Sequence, residues 1–322
     1  MSIIQDLTPI NLQEEKQKFF DNDCKYNPQF KYKTLATVGK IYKYGKPKPE
    51  YLELAKKILK TAFENNTEEE IRKIEGEVLT KQEATEMFDD FVKNNDLKNT
   101  ITLKWSKNFA GRASFYKNTL KLQLPVKHRK NEFLGTLYHE LGTHALRRVN
   151  HLQQPFFGKK TELGFKDYLL TEEGLASFHG LLAKNFKIDY TGALNYVTCQ
   201  QAQEKSFVET FAFVNQYLHD KKRAWSYTYR HKRGLYDTQE GGGFTKDMLY
   251  FAGLIKVWEY FKKSNFDVAS LYWGKIAIED IEKAKKINPD YQPHLPSFYT
   301  QKPDLYQQQI IEIAELNFLY NI

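Results

Sequence analysis

From Pro49 onward the apolar positions Tyr51, Leu52, Leu54, Ala55, Ile58, Leu59, Ala62 and Phe63 recur at the spacing of one helical face, which predicts an amphipathic helix. Asn66-Thr67, with Glu70 three residues after Thr67, carries a capping-box signature and predicts a second helix start. A third helix is predicted over Lys81 to Lys93, where Ala84, Met87, Phe88 and Phe91 share a face. At Ile101 the period changes from helical to alternating. Ile101–Trp105 and Thr119–Leu124 both read as strands, with Gly111–Tyr116 between them as a third. Pro125 closes this run, and a strongly apolar helix over about 130–149 follows at once. A loop rich in Gln, Pro, Gly and Lys (153–160) leads to a predicted helix over 171–184. Helical periodicity returns over 192–220 and 244–263, separated by the basic stretch Lys221–Arg233 and the glycines Gly241–Gly243. The C-terminal part reads as helices interrupted at Pro289, Pro293 and Pro296. Residues 1–50 form a polar arm with some short helix. The pattern predicts an N-terminal helical region, 1–95, packed on a larger domain, 96–322.

Charge narrows the partners but not the fold. The chain carries a net charge of +8 and a pI near 9.0, which favours acidic partners: nucleic acid, an anionic surface or an acidic polypeptide. No recognisable nucleic-acid-binding motif accompanies the charge, so nucleic acid is not expected. No apolar run approaches the about 18 residues of a membrane span. The first residues lack a basic segment followed by an apolar one, and Cys24 and Cys199 form no regular framework. The expectation is a soluble, cytoplasmic protein without a membrane partner.

The segment with chemistry is Leu137-Tyr138-His139-Glu140-Leu141-Gly142-Thr143-His144-Ala145-Leu146. The common zinc-peptidase motif sets two histidines four residues apart on one helical face. Here they are five apart. At about 100° per residue, a spacing of four leaves the side chains about 40° apart, and a spacing of five about 140°. A regular helix cannot aim both imidazoles at one ion, whereas a π-type bulge restores the alignment. Gly142-Thr143 is the expected place, because glycine accepts unusual dihedrals and threonine can bond back to the preceding turn. A hydrolytic zinc site needs a third ligand. Thr171-Glu172-Glu173-Gly174-Leu175-Ala176 offers it, with Thr171 as N-cap placing both carboxylates in the first turn. One carboxylate would point at the metal and the other would orient a ligand. Glu140 is left as a base. Phe133, Leu134, Leu137, Leu141, Ala145 and Leu146 bury this helix, and polar groups buried there need a purpose.

These residues resemble a known family. His139-Glu-Leu-Gly-Thr-His144, Leu146-Arg147, Val149-Asn150, Gln153-Gln154-Pro155 and Thr171-Glu-Glu-Gly-Leu-Ala-Ser177 together closely resemble the microtubule-associated tyrosine carboxypeptidases, atypical HExxxH zinc peptidases. Tyr26-Asn-Pro-Gln-Phe-Lys-Tyr32, Lys232-Arg-Gly234, Asp237-Thr238 and Gly242-Gly-Phe-Thr-Lys-Asp247 with Tyr250 extend the likeness over about 20–260. The resemblance implies zinc held by His139, His144 and Glu173, with Glu140 as general base, and removal of the C-terminal tyrosine of α-tubulin. Another peptide substrate on the same scaffold, or a catalytically idle microtubule binder, is the alternative. The implied fold is α+β and mostly helical, with a zincin-like metallopeptidase core whose small sheet precedes the metal-binding helix. Such chemistry needs an electrophile beside the metal, for which Tyr250 is the candidate with Lys246 behind it. It also needs a cation for the substrate's terminal carboxylate, for which Arg233, Arg230 and Arg112 are the candidates. Strand Gly111–Tyr116 or Thr119–Leu124 offers an edge for pairing with an extended substrate. The acidic tails of tubulin and the microtubule surface suit the basic charge.

Overall fold

The computed structural model describes residues 3–33, 41–107 and 111–321. It is α+β and mostly helical, with one three-stranded sheet. Contacts group the chain into two compact units, each made of two stretches: Met1–Glu69 with Asp189–Phe251, and Glu70–Ile188 with Ala252–Ile322. The units therefore do not divide near residue 95, because the chain returns to its N-terminal helices after residue 188.

In the first unit the predicted helix Pro49–Phe63 packs its apolar stripe, Leu54, Ala55, Ile58, Leu59 and Ala62, against the helix Tyr190–Glu204. The periodic stretch over 192–220 is two helices. Ser206 breaks it and opens Phe207–Leu218 with a capping box to Glu209. The basic stretch after it is also a helix, Lys221–Lys232, started by the Asp220 side chain, which accepts from the N–H groups of Lys222 and Arg223. Its inner face holds Ala224, Trp225, Tyr227, Thr228 and His231, which the many charges around them hide in a periodicity count. Lys232 ends it fully buried, its ammonium donating to the carbonyls of Ala202, Lys205 and Glu240. Phe19, Phe207, Phe211 and Trp225 stack edge-on and tilted into an aromatic core. The segment Tyr26–Tyr32 is tied down by its polar groups. Tyr26 Oη and the Gln29 N–H both donate to the buried Glu15 carboxylate at 2.7 Å, and Asn27 Oδ1 accepts from the Val208 N–H.

The second unit carries the sheet: β1 (Thr102–Ser106), β2 (Ala113–Tyr116) and β3 (Thr119–Gln123), in the order β1-β3-β2. β3 pairs parallel with β1 and antiparallel with β2, and its Leu120 and Leu122 point into the core. β3 is thus the middle strand, with both edges paired, and cannot accept a further strand. Of the two expected edges only β2 is one. The apolar helix after the sheet begins at Lys130, packs on the helix Leu169–Leu182, and runs on to Leu152 in three sections described below.

Two glycine contacts set how closely the helices of this unit approach. A Cβ on Gly135 would stand 2.4 Å from the Gly180 carbonyl oxygen. A Cβ on Gly174 would stand 2.1 Å from the Gly253 carbonyl carbon, in the helix Met248–Ser264. Backbone therefore lies on backbone at both crossings, and no side chain fits at Gly135, Gly174 or Gly253. Gly174→Ala should lower stability by about 1–3 kcal/mol through overpacking, read as a reduced denaturant midpoint. An unchanged midpoint would mean the crossing is looser than described.

Candidate metal centre

The long helix changes pitch at its centre. Lys130–His139 is α-helical, Glu140–Ala145 is π-helical, and Leu146–Leu152 is α-helical again. The Leu146 N–H bonds to the Leu141 carbonyl, the five-residue step of a π turn. The bulge falls where the histidine spacing demands it. Its glycine has a different reason from the one expected, because Gly142 does not adopt a positive φ. What it supplies is room: a Cβ there would lie 2.6 Å from Cε1 of Phe298.

The wider turn brings His139 and His144 together. Their rings meet edge-on with centroids 5.0 Å apart. The two Nε2 atoms both face Glu173 Oε2, at 3.9 Å from His139 and 3.6 Å from His144. Ligand atoms of the three residues all lie within 4.8 Å of one another. Donors bound tetrahedrally to one zinc at about 2.0–2.2 Å stand about 3–4 Å apart, so two imidazole nitrogens and a carboxylate oxygen in this arrangement fit a zinc ion.

Glu172 does not join the three. It accepts from His144 Nδ1 at 2.6 Å, from Lys275 Nζ and from Arg147 Nη1 at 3.3 Å. This hydrogen bond turns His144 Nε2 toward Glu173 and fixes the tautomer in which Nδ1 carries the proton. The two carboxylates are thus separated by role. Thr171 is not the N-cap. The helix begins at Leu169, whose N–H bonds to Asp167 Oδ1, and the Thr171 hydroxyl instead accepts from the Ile278 N–H. Arg147, named from the sequence only within the family-like Leu146-Arg147 motif, and Lys275, not named at all, hold Glu172 in place. Arg147 is fully buried and also donates to the carbonyls of Leu271 and Ile276. Its other sequence signal was a charge on the apolar side of the helix, three residues after His144; Lys275 had none.

Burial pushes the His139 imidazole down to about 4, with His144 adding to the effect and a hydrogen bond to the Ala176 backbone opposing it. Burial acts on His144 too, but its bond to Glu172 and the carboxylates around it raise it. Burial also disfavours charge on Glu172, yet Lys275, His144 and Arg147 hold it well below the carboxylate range. Glu140 lies in the π turn with its Oε2 accepting from the Phe115 N–H of β2 at 2.9 Å. That contact anchors the carboxylate to the sheet edge.

The expected substrate-binding residues stand as follows. Arg112 ties β2 to the start of the metal helix: its guanidinium pairs with Glu132 and donates to the Lys127 carbonyl. In the first unit Arg230 pairs with the buried Asp247 at 2.8 Å, and the buried Arg233 lies over the Phe244 ring at 4.8 Å. Lys246 and Tyr250 are half-buried and near this Asp247–Arg pair in sequence.

A family model described as microtubule-associated tyrosine carboxypeptidase matches residues 39–303. The chain belongs to the microtubule-associated tyrosine carboxypeptidase family. Among curated relatives, microtubule-associated tyrosine carboxypeptidase 1 of Rattus norvegicus is 29% identical over 320 residues, 97% of this chain and 68% of its own. The Homo sapiens protein of that name is 28% identical over the same shares. MATCAP2 of Mus musculus is 29% identical over 328 residues, 99% of this chain and 62% of its own. This member of the microtubule-associated tyrosine carboxypeptidase family thus spans about two thirds or less of the length of these relatives.

The half-buried His139 and the buried His128, His151 and His179 make the metal-free protein acid-sensitive. His139 is depressed to about 4 and His179, on the helix of Glu173, to about 3, both chiefly by burial. Unfolded histidines bind protons near pH 6.5, so between there and about 4 the unfolded state holds more protons and stability falls as pH falls. Each such histidine contributes about 1.4 kcal/mol per pH unit in that window. His144, raised, acts in the opposite sense: its stabilisation is present below its unfolded pKa and fades as pH rises. His128 and His151, also depressed to about 4, reinforce the first two. Chelated protein should therefore unfold at lower urea at pH 5 than at pH 7; an equal or higher midpoint at pH 5 would contradict the burial of these rings.

Proposed function

We propose that this protein is a zinc-dependent carboxypeptidase that removes a C-terminal residue from acidic polypeptide tails, the tyrosine of α-tubulin being the foremost substrate. The observation that carries the proposal is the convergence of His139, His144 and Glu173 ligand atoms within 4.8 Å, with Glu140 directly after the first ligand. A zincin-like core, with a small sheet before the metal helix, is the architecture this reading supposes. Zinc in such a site supplies Lewis-acid activation of water and of a peptide carbonyl. Glu140 takes the proton of the attacking water and later delivers it to the leaving amine. The Phe115 N–H holds one carboxylate oxygen and leaves the other for that transfer. Glu172 keeps His144 in its ligating tautomer. Support for the substrate comes from the family, whose relatives are named tyrosine carboxypeptidases and microtubule-associated, and from the net charge of +8. The same reading puts the protein in the cytoplasm with microtubules as partner.

The test is incubation of purified protein with tyrosinated tubulin, reading loss of the terminal tyrosine. Wild type should remove it, chelator should abolish removal and added zinc should restore it. Glu140→Gln should cut the rate on the order of 10²–10⁴-fold while retaining zinc, the size of a general-base contribution. Undiminished cleavage by Glu140→Gln, or cleavage insensitive to chelator, would overturn the mechanism. Cleavage of other C-terminal residues with tubulin untouched would move the substrate and leave the chemistry.

A further inference from the structure

The π turn is an uncommon conformation, and the side chains that hold it lie away from the metal ligands. The geometry points to His179 as a positioning residue: through Thr143 it locks the π turn of the metal helix to the helix that carries Glu173. This inference rests on the zinc reading above.

Thr143 lies between the two histidine ligands and is fully buried. Its hydroxyl is 3.2 Å from the Tyr138 carbonyl, five residues back, and 2.7 Å from His179 Nδ1. His179 Nε2 is in turn 2.9 Å from the Tyr306 hydroxyl. The direction of these bonds follows from counting protons. Thr143 has one hydroxyl proton, and the Tyr138 carbonyl can only accept it. His179 Nδ1 must then donate to Thr143, which leaves Nε2 to accept from Tyr306. Burial keeps this imidazole neutral, as one donor and one acceptor require. With the Thr143 proton on the Tyr138 carbonyl, the chain of donation runs Tyr306, His179, Thr143, Tyr138. A second hydroxyl, Tyr272 Oη, donates to the Gly142 carbonyl at 2.5 Å. Side chains from outside the metal helix therefore serve the Gly142 carbonyl and the threonine of the turn. The surroundings are closed, with His179 and Tyr272 fully buried, Tyr306 nearly so, and the Phe298 ring 4.9 Å from that of His179. Water cannot readily replace a missing partner.

His179 shares its helix, Leu169–Leu182, with Glu173, so the same bond fixes two things. It holds the turn that aligns His139 with His144, and it holds that turn against the helix of the third ligand. Breaking it should let the turn relax toward α-helix or let the two helices slip. Either change separates the ligands without removing one.

The experiment measures zinc affinity by competition with a chromophoric chelator, and the visible absorption of the cobalt-substituted protein, in the full chain. Thr143→Val and His179→Phe, which remove the bond at similar volume, should weaken zinc by about tenfold or more, the scale of lost outer-sphere support, and shift the cobalt bands. Thr143→Ser, which keeps the hydroxyl, should stay near wild type. Leu181→Ala, buried on the same helix, should lose stability and keep its affinity. Wild-type affinity and spectrum in both Thr143→Val and His179→Phe would overturn the inference, as would an equal loss in Leu181→Ala. Should His179→Phe fail to fold, Thr143→Val against Thr143→Ser decides alone. A wild type that binds no zinc removes the metal reading itself, and the inference with it.

Discussion

Two histidines five residues apart on a helix face different directions unless the helix is wound more widely, and much of the second unit serves that single requirement. The π turn Glu140–Ala145 absorbs the additional residue and returns both Nε2 atoms to one side. A turn of this kind carries no intrinsic preference, so its cost must be offset by neighbours that fit it better than they would fit an α-helix. Those neighbours are visible: the Phe298 ring occupies the space a Cβ at Gly142 would need, Tyr272 takes a carbonyl of the turn, and Thr143 bonds both backward and outward. The motif is thus a property of its surroundings as much as of its own six residues.

The proposed third ligand arrives by packing. Gly135 against Gly180 lets backbone meet backbone, which brings the helix of Glu173 close enough for its carboxylate to reach the histidines, and Gly174 against Gly253 packs that helix equally closely on Met248–Ser264. The same closeness removes water and makes charge expensive. The protein answers with specific pairing: Glu172 stays ionised because Lys275, Arg147 and His144 surround it, while His139 and His179 stay neutral. In the proposed site one carboxylate orients and its neighbour ligates, although they are adjacent in the chain and chemically identical. Their different environments separate the roles.

Much of this was legible in the sequence. Helical spacing located Pro49–Phe63 and Lys81–Asn94, alternation located the two outer strands of the run with the third between them, and the histidine spacing required the bulge if both rings were to share one ion. Local patterns are readable because local sterics write them. The sheet order was not, since alternation says nothing of which strand lies between the others, and β3 rather than an edge took the centre. The basic segment 221–232 hid a helix, because its charges mask an inner face and because the Lys232 ammonium is held by carbonyls outside the helix. The start of the Glu173 helix was misplaced by two residues for a like reason: Thr171 has the chemistry of a cap but is held by Ile278, more than a hundred residues on. Lys275, His179 and Tyr306 likewise act only through contacts that tertiary structure creates. The capping and ligand-type residues could be named from the chain, whereas the residues that aim them could not.

The proposed site is one zinc held by two imidazoles across a π turn with Glu173 as the third protein ligand. X-ray absorption at the zinc edge of the loaded protein tests it most directly. One zinc per chain is predicted, with two imidazole nitrogens at about 2.0–2.1 Å and carboxylate oxygen at about 2.0–2.2 Å; the histidine signature should fall to one ring in His144→Ala. An all-oxygen shell, a single imidazole in the wild type, or an unchanged two-imidazole shell in His144→Ala would contradict it.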